Sequence, residues 1–163
     1  MAAKPRQSAE RSGESSLIVG TDIVEVGAVA QSMQTFGDRY LNFAFTPDEL
    51  RYCLAPGRSA APHLAARFAA KEATMKVLRP AKDQVIGWRQ IEMVRTEDGW
   101  CDVALSGWAS ALARTRGIRG LSVSMSHEAH YATAVVIGER KSRPVRLPRR
   151  TAKATISRGV KRK

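Results

Sequence analysis

The sequence predicts an α+β fold with a mainly antiparallel sheet and one long central helix. Short runs of apolar and β-branched residues open and close the region that carries hydrophobic periodicity. A long stretch with helical periodicity occupies the middle of that region. Two alternating runs are separated by Thr96-Glu97-Asp98-Gly99, which is typical of a hairpin turn. Together these observations give the order β-α-α-α-β-β-α-β-β.

The first part of this order begins with a strand at 17–26, a short apolar run rich in valine and isoleucine. Residues 27–37 predict a helix that a glycine ends. The Thr-Pro-Asp-Glu sequence at 46–49 predicts the start of another helix. Its threonine can cap the helix, its proline fits the first helical position, and its glutamate completes a capping box.

The second part of the order begins with the long helix, which we expect at 63–78 because its apolar residues recur at helical spacing and Pro80 then ends it. A later helix should end at Gly117, in the position that favours a left-handed glycine. The remaining predicted elements are strands at 88–95 and 101–105, a helix at 107–116, and paired strands at 121–125 and 131–137.

The positive charge of the chain is concentrated at one end. The net charge is +12, but residues 140–163 hold eleven of the 27 basic residues and no acid, which leaves 16 basic against 15 acidic residues elsewhere. We therefore predict a nearly neutral folded domain at 17–139, a disordered basic tail at 140–163 and a disordered polar segment at 1–16. Such a tail could bind nucleic acid nonspecifically and in a salt-sensitive way, or attract an acidic protein.

Targeting and redox signals predict a cytoplasmic protein. The first sixteen residues contain no apolar run of the kind found in signal peptides, and no apolar stretch reaches the length of a membrane span. Cys53 and Cys101 form no CxxC pair and suggest no disulfide framework. We expect no membrane association and a reducing compartment.

The central helix carries charges where a packing helix would carry apolar side chains. On a helical wheel, Lys71 lies within the apolar stripe, while Glu72 and Lys76 lie at its border, one turn apart. Two interpretations remain open. Glu72 and Lys76 form a surface ion pair worth a few tenths of a kcal/mol, or the charges point into a cleft where their electrostatic effect is larger.

Asp22 is the second unusual charge. Strand alternation places it on the same face as Ile18, Gly20 and Val24. A carboxylate on an apolar face needs a partner, because burying it alone is costly. That partner is either an Arg or Lys, or a hard cation such as Mg²⁺ shared with Glu72. The two acids alone do not choose between these possibilities.

Three motifs occur in a specific order. They are Val-Gly-Thr-Asp-Ile-Val-Glu at 19–25, Arg-Phe-Ala-Ala-Lys-Glu-Ala at 67–73, and Val-Ser-Met-Ser-His-Glu at 123–128 followed by Tyr131-Ala132. With this set, the chain closely resembles the acyl-carrier-protein synthase family, the small 4′-phosphopantetheinyl transferases, over about 17–139. The resemblance implies transfer of phosphopantetheine from coenzyme A to a serine of an acyl carrier protein, with release of 3′,5′-ADP, in fatty-acid or polyketide-type biosynthesis. It also implies a homotrimer with active sites at the subunit interfaces.

The resemblance assigns roles by position. Asp22 and Glu72 correspond to Mg²⁺ ligands, and Glu72 or a metal-bound water takes the serine proton. Lys76 also acts in catalysis, by stabilising charge on phosphate oxygens. The implied coenzyme A contacts are Arg67, Lys71, Lys76 and His127. For His127 a structural hydrogen bond is an equal alternative.

The chain departs from the family at three places. Residues 79–84 read Arg-Pro-Ala-Lys-Asp-Gln where the family has a Gly-Thr-Gly loop at the coenzyme. Residues 27–34 lack the arginines that grip the carrier in relatives, and the basic tail is additional. Two alternative functions therefore remain: a catalytically weak relative that binds coenzyme A or a carrier, and a protein that binds nucleic acid through the tail. Retention of Asp22, Glu72 and Lys76 argues against the first, and the near-neutral folded part against the second.

Overall fold

The computed structural model describes residues 15–141 and confirms the α+β class. Most of the predicted polar segment at 1–16 and of the predicted basic tail at 140–163 lies outside the described residues, which leave out 1–14 and 142–163. A single 3₁₀ turn, Trp88–Gln90, precedes the second strand. The other elements are β1 (Ser15–Glu25), α1 (Val26–Phe36), α2 (Asp38–Ala44), α3 (Pro47–Cys53), α4 (Ala60–Leu78), β2 (Ile91–Arg95), β3 (Cys101–Leu105), α5 (Gly107–Thr115), β4 (Ile118–His127) and β5 (Tyr131–Lys141).

The strands form two antiparallel sheets. The larger sheet has the order β1-β5-β4, and β2 pairs with β3 in a separate hairpin. The register along β1 and β5 runs from Ser15 opposite Lys141 to Glu25 opposite Tyr131. Within residues 15–141, no helix is both long enough and apolar enough to cross a membrane.

Helix α4 lies against the larger sheet at unusually short distance, and two glycines make this possible. A Cβ added at Gly20 of β1 would lie 2.1 Å from the carbonyl oxygen of Ala73. A Cβ at Gly138 of β5 would lie 2.6 Å from Cγ1 of Val77. Side chains at either position would push the helix away, so these glycines fix the spacing between α4 and the two strands β1 and β5.

Two apolar clusters share α4 as a common wall, which makes it the predicted central helix. One cluster lies between α4, the larger sheet, the hairpin and α5, and includes Ala73, Val77 and Ile91. The other lies between α4 and α1–α3, and includes Phe45 and Leu64. Because α4 packs on both sides, it is buried over most of its circumference.

The outer face of the larger sheet is apolar and exposed. Alternation along β1 and β5 points Val19 and its register partner Ile137 to this face, with 61% and 41% of their surfaces exposed. We call this surface the outer sheet face; it comprises Leu17, Val19, Ile23, Val135 and Ile137. An exposed apolar surface of this kind indicates an interaction site.

The capping box and hairpin are confirmed, while several boundaries differ from prediction. The Thr46 hydroxyl accepts a hydrogen bond from the Glu49 backbone N–H, and the Glu49 carboxylate accepts one from Thr46. Helix α4 begins three residues earlier than expected, because its first turn tolerates Pro62. Helix α2 was not predicted, and the first three residues of the expected strand at 88–95 form the 3₁₀ turn.

The sheet strands are longer than the sequence pattern indicates. β1 begins at Ser15 and β5 ends at Lys141, so the predicted domain limits at 17 and 139 each fall two residues inside a strand. The added residues are polar and exposed or half-buried, so they lack the apolar alternation that identifies a strand. They are strand because Ser15 and Ser16 pair with Lys141 and Arg140 across the sheet.

Candidate functional site

The close packing of α4 on β1 brings Lys76 to Asp22. The Nζ atom of Lys76 lies 2.8 Å from Oδ1 of Asp22 and donates a second hydrogen bond, 2.6 Å long, to the carbonyl oxygen of Thr21. The Asp22 side chain is 19% exposed and that of Lys76 is 51% exposed. The lysine at the border of the helix stripe therefore pairs with the strand carboxylate.

Glu72 lies one helical turn before Lys76 and interacts electrostatically with the Asp22 carboxylate. Partial burial raises the pKa of Glu72, the negative charge of Asp22 raises it further, and the positive charge of Lys76 opposes both effects. The two carboxylates and the ammonium thus interact electrostatically as one group. We call Asp22 and Glu72 the acidic pair.

The acidic pair fits Mg²⁺ better than zinc. Among residues 15–141, no group of three or more His, Cys, Asp or Glu side chains is placed to hold a metal ion. A structural zinc site would require such a group. Mg²⁺ is commonly bound by one or two carboxylates together with waters and substrate phosphates. Asp22 and Glu72 supply that number of ligands.

Lys71 does not reach a surface site, and its predicted contact with coenzyme A is corrected. None of its side chain is exposed, and its Nζ lies 2.8 Å from Oε2 of the equally buried Glu49. The ammonium also donates to the carbonyl oxygens of Trp88 and Ile91. Burial lowers the pKa of Lys71, while the charge and hydrogen bond of Glu49 raise it again. All of the donors are directed inward, so Lys71 is structural.

Glu49 is a residue that sequence reasoning described only as a cap. Its Oε1 also accepts a hydrogen bond from the backbone N–H of Met93 at 3.0 Å. One buried carboxylate thereby joins α3, β2 and α4. The Thr-Pro-Asp-Glu sequence predicted the cap. No feature of the neighbouring sequence predicted the ion pair between Glu49 and Lys71.

Arg67 lies in a cluster of cationic groups around one aromatic ring. The residue is 3% exposed, its guanidinium carbon lies 4.4 Å from the ring centroid of Tyr52, and its Nε is buried without a hydrogen-bond partner in the described chain. Arg58 and Arg95 approach the same ring at 4.1 Å and 5.2 Å, and Arg95 donates to the Tyr52 hydroxyl. Three guanidinium groups at one ring concentrate positive charge, with Arg58 and Arg95 at the surface and Arg67 buried.

His127 joins this cluster through a second histidine. The rings of His63 and His127 meet edge to face with centroids 4.9 Å apart, and Arg67 donates to the His63 carbonyl oxygen. Burial and the charges of His127, Arg67 and Arg58, in that order, lower the pKa of His63. We call this surface the cationic patch; its members are Tyr52, Arg58, His63, Arg67, Arg95 and His127.

Sequence reasoning identified only Arg67 and His127 of this patch. Of the other four members, His63 lies one turn before Arg67 on α4. The remaining three belong to α3, the loop after it and β2, and no spacing rule links them to Arg67. Arg67 and Glu72 are five residues apart on α4, which places their Cα atoms about 7–8 Å apart along the helix axis. Both groups are therefore carried in part by α4, but a separation of five residues turns the two side chains about 140° apart around the helix axis.

The segment that replaces the family's glycine loop has its own geometry. Arg79 ends α4 in the left-handed region, with φ of 50°, a conformation that usually favours glycine. Ala81 and Gln84 then close a turn: Ala81 donates to the Gln84 side chain, and Gln84 donates to the Ala81 carbonyl oxygen. The backbone turns at this point without the glycines.

The chain matches known proteins over the region that contains the three motifs. The profile of the 4′-phosphopantetheinyl transferase superfamily matches residues 18–136. A holo-[acyl-carrier-protein] synthase from Leptospira biflexa is 42% identical over 121 residues, which cover 74% of this chain and 94% of the relative. One from Dehalococcoides mccartyi is 43% identical over 123 residues, which cover 76% of this chain and 98% of the relative.

The fold is also similar to solved structures of acyl-carrier-protein synthases. The fold is similar to an ACPS–CoA complex of Chronobacterium ammoniagenes, with 30% identity, a TM-score of 0.68, and coverage of 78% of this chain and 99% of the other. It is also similar to holo-[acyl-carrier-protein] synthase of Helicobacter pylori in complex with coenzyme A, with 26% identity, a TM-score of 0.64, and coverage of 74% and 99%.

Proposed function

The chain belongs to the 4′-phosphopantetheinyl transferase superfamily, and we propose that it is a holo-[acyl-carrier-protein] synthase. It transfers the 4′-phosphopantetheine group from coenzyme A to a serine of an acyl carrier protein and releases 3′,5′-ADP. The observation that carries this proposal is the convergence of Asp22, Glu72 and Lys76 where α4 meets β1.

The reaction exchanges one phosphorus–oxygen bond for another. The serine oxygen attacks the phosphorus that carries pantetheine, the diphosphate bond of coenzyme A breaks, and 3′,5′-ADP leaves with the bonding electrons. Glu72 or a metal-bound water would accept the serine proton. The Lys76 ammonium is suited to stabilise negative charge on the diphosphate oxygens.

We propose that Asp22 and Glu72 hold Mg²⁺. When bound, the metal would supply charge stabilisation at the diphosphate. Glu72 is partly buried and both carboxylates lie at the helix–strand contact, so their positions are fixed by the fold. The glycine contact between Gly20 and Ala73 supports this arrangement, because it sets the spacing of the two elements that carry the acids.

The cationic patch supports coenzyme binding. Coenzyme A carries several phosphate groups, and guanidinium groups bind phosphate through charge-assisted hydrogen bonds. Arg67 and His127 are the predicted coenzyme contacts, and Arg58 is the neighbouring cation at the same ring. The buried Nε of Arg67 leaves a donor for which the described chain offers no acceptor.

We also propose that the enzyme is a homotrimer with its active sites at the subunit interfaces. The outer sheet face supports association, because paired apolar side chains such as Val19 and Ile137 remain exposed in the single chain. Cys53 and Cys101 are free thiols, which fits the reducing cytoplasm in which we propose that the enzyme works. Light scattering of the purified chain measures the number of subunits.

Mass spectrometry of an apo carrier protein tests the activity. The purified chain is incubated with coenzyme A, Mg²⁺ and the carrier, and the carrier should gain the mass of one phosphopantetheine group. A carrier whose acceptor serine is replaced by alanine should gain nothing. No mass gain with any of several acyl carrier proteins, under conditions where a known synthase modifies them, would contradict the proposal and favour a relative that only binds coenzyme A or a carrier.

A further inference from the structure

Lys76 occupies one oxygen of a carboxylate that the proposed function assigns to a metal. Its Nζ contacts Oδ1 of Asp22 at 2.8 Å, and its other described partner is the neutral carbonyl oxygen of Thr21. The ammonium thus contacts one charge and one dipole directly, and the charge of Glu72 attracts it as well. Half of the Lys76 side chain is exposed, so it has room to move away from Asp22.

An ammonium and a divalent cation at Asp22 repel each other. Asp22 and Glu72 together carry up to two negative charges, and Lys76 cancels one of them. A cation that binds Asp22 therefore loses attraction while Lys76 stays in place, and gains it when Lys76 leaves. Phosphate oxygens of a bound diphosphate offer the ammonium an alternative partner within the same site.

We propose that Lys76 and the divalent cation compete for Asp22, and that coenzyme A relieves this competition by attracting the ammonium to its diphosphate. The inference rests on the proposed function, since it takes coenzyme A as the ligand. By thermodynamic linkage, coenzyme A then tightens metal binding and the metal tightens coenzyme binding by the same factor. Lys76 thereby favours joint loading of metal and coenzyme.

Equilibrium binding of Mn²⁺ to the full chain, without carrier protein, tests the competition. The expected result is that Lys76→Met binds Mn²⁺ roughly tenfold more tightly than the wild type, because the competing charge is gone. Lys76→Arg should stay close to the wild type, because it keeps the charge. Lys141→Met is the matched control: it removes one positive charge at the end of the sheet, roughly 23 Å along the strands from Asp22.

Coenzyme A supplies the second part of the test. Adding it should tighten Mn²⁺ binding to the wild type by roughly fivefold or more, after correction for Mn²⁺ bound by coenzyme A alone, and should tighten it much less in Lys76→Met. Equal or weaker Mn²⁺ binding by Lys76→Met, or no Mn²⁺ binding by either protein, overturns the competition. Transfer to a carrier is measured on the same wild-type preparation, so failure of the proposed function is detected separately.

Discussion

The Nζ atom of Lys71 lies 2.8 Å from Oε2 of Glu49, and neither side chain has any exposed surface. The glutamate that caps α3 therefore neutralises a lysine in the middle of α4. This ion pair is completed by hydrogen bonds from Lys71 to Trp88 and Ile91 and from Met93 to Glu49. Four elements meet at one buried charge pair.

Lys71→Met should destabilise the fold by about 3–5 kcal/mol, because it leaves the Glu49 carboxylate buried without its counter-charge. Urea unfolding followed by circular dichroism measures the loss. Arg51→Met is the matched control, since its ion pair with Asp48 is exposed and should be worth less than about 1 kcal/mol. Adding Glu49→Gln to Lys71→Met should recover part of the loss. A Lys71→Met protein of normal stability with a raised KM for coenzyme A would restore Lys71 to the binding site.

Asp22→Ala and Glu72→Ala should each abolish transfer while leaving the fold largely intact, because each removes one proposed ligand of a single cation. A coupled assay of 3′,5′-ADP release measures activity, and thermal unfolding checks the fold. Asp48→Ala removes an exposed carboxylate elsewhere and should stay fully active. Full activity of either site variant at limiting Mg²⁺ would rule out the shared cation.

Lys76→Ala should lower kcat/KM for coenzyme A by roughly ten- to hundredfold, since a charge-assisted hydrogen bond to phosphate is worth about 1.5–3 kcal/mol. The loss should occur at saturating Mg²⁺, which separates it from any change in metal affinity. Lys141→Ala serves as the charge-matched control. An unchanged kcat/KM would mean that Lys76 only pairs with Asp22.

Gly20→Ala should destabilise the protein by about 1–3 kcal/mol and reduce transfer, because the new methyl group would meet the Ala73 carbonyl oxygen and displace α4 from β1. Gly120→Ala adds the same methyl group on β4, where no atom lies within 4 Å, and should be close to neutral. Thermal unfolding and transfer are measured on both variants. Similar stability of the two variants would show that the helix–strand spacing is not critical.

The pKa of His63 is lowered in the folded protein, first by burial and then by His127, Arg67 and Arg58. The unfolded chain therefore binds a proton more readily at this residue, and stability should fall as pH decreases through about 6.5. His63→Phe should reduce that fall, measured as the difference in unfolding free energy between pH 7.5 and pH 5.5. The exposed His130→Phe is the control. An identical pH dependence in the wild type and His63→Phe would contradict the assignment.

Local patterns in the sequence predicted the elements that local forces determine. The capping box at Thr46 and Glu49 and the hairpin after Arg95 depend on neighbouring residues, and both were predicted. The alternation that puts Asp22 on the face of Gly20 was also correct, since the Asp22 side chain and the Cα hydrogen of Gly20 that a Cβ would replace both face α4.

Contacts between residues far apart in the sequence could not be predicted from local patterns. The wheel placed Lys71 in an apolar stripe, but only the tertiary contact with Glu49 explains why a charge is tolerated there. Helix α2 lacked a clear cap and periodicity and was missed, because packing of Leu41 and Ala44 stabilises it. The members of the cationic patch come from five separate parts of the chain, so no single motif could reveal it.

The strand order β1-β5-β4 has a consequence for synthesis on the ribosome. β5 is the middle strand of the larger sheet, yet it is the last strand of the described chain to be made. Roughly one hundred residues separate β1 from β5, so at about 5–20 residues per second β1 waits roughly 5–20 s for its partner. Until then the apolar β1 has two open edges and is exposed to other nascent chains and to chaperones. Asp22 can therefore take its place beside Lys76 in a finished site only after nearly the whole domain has been translated.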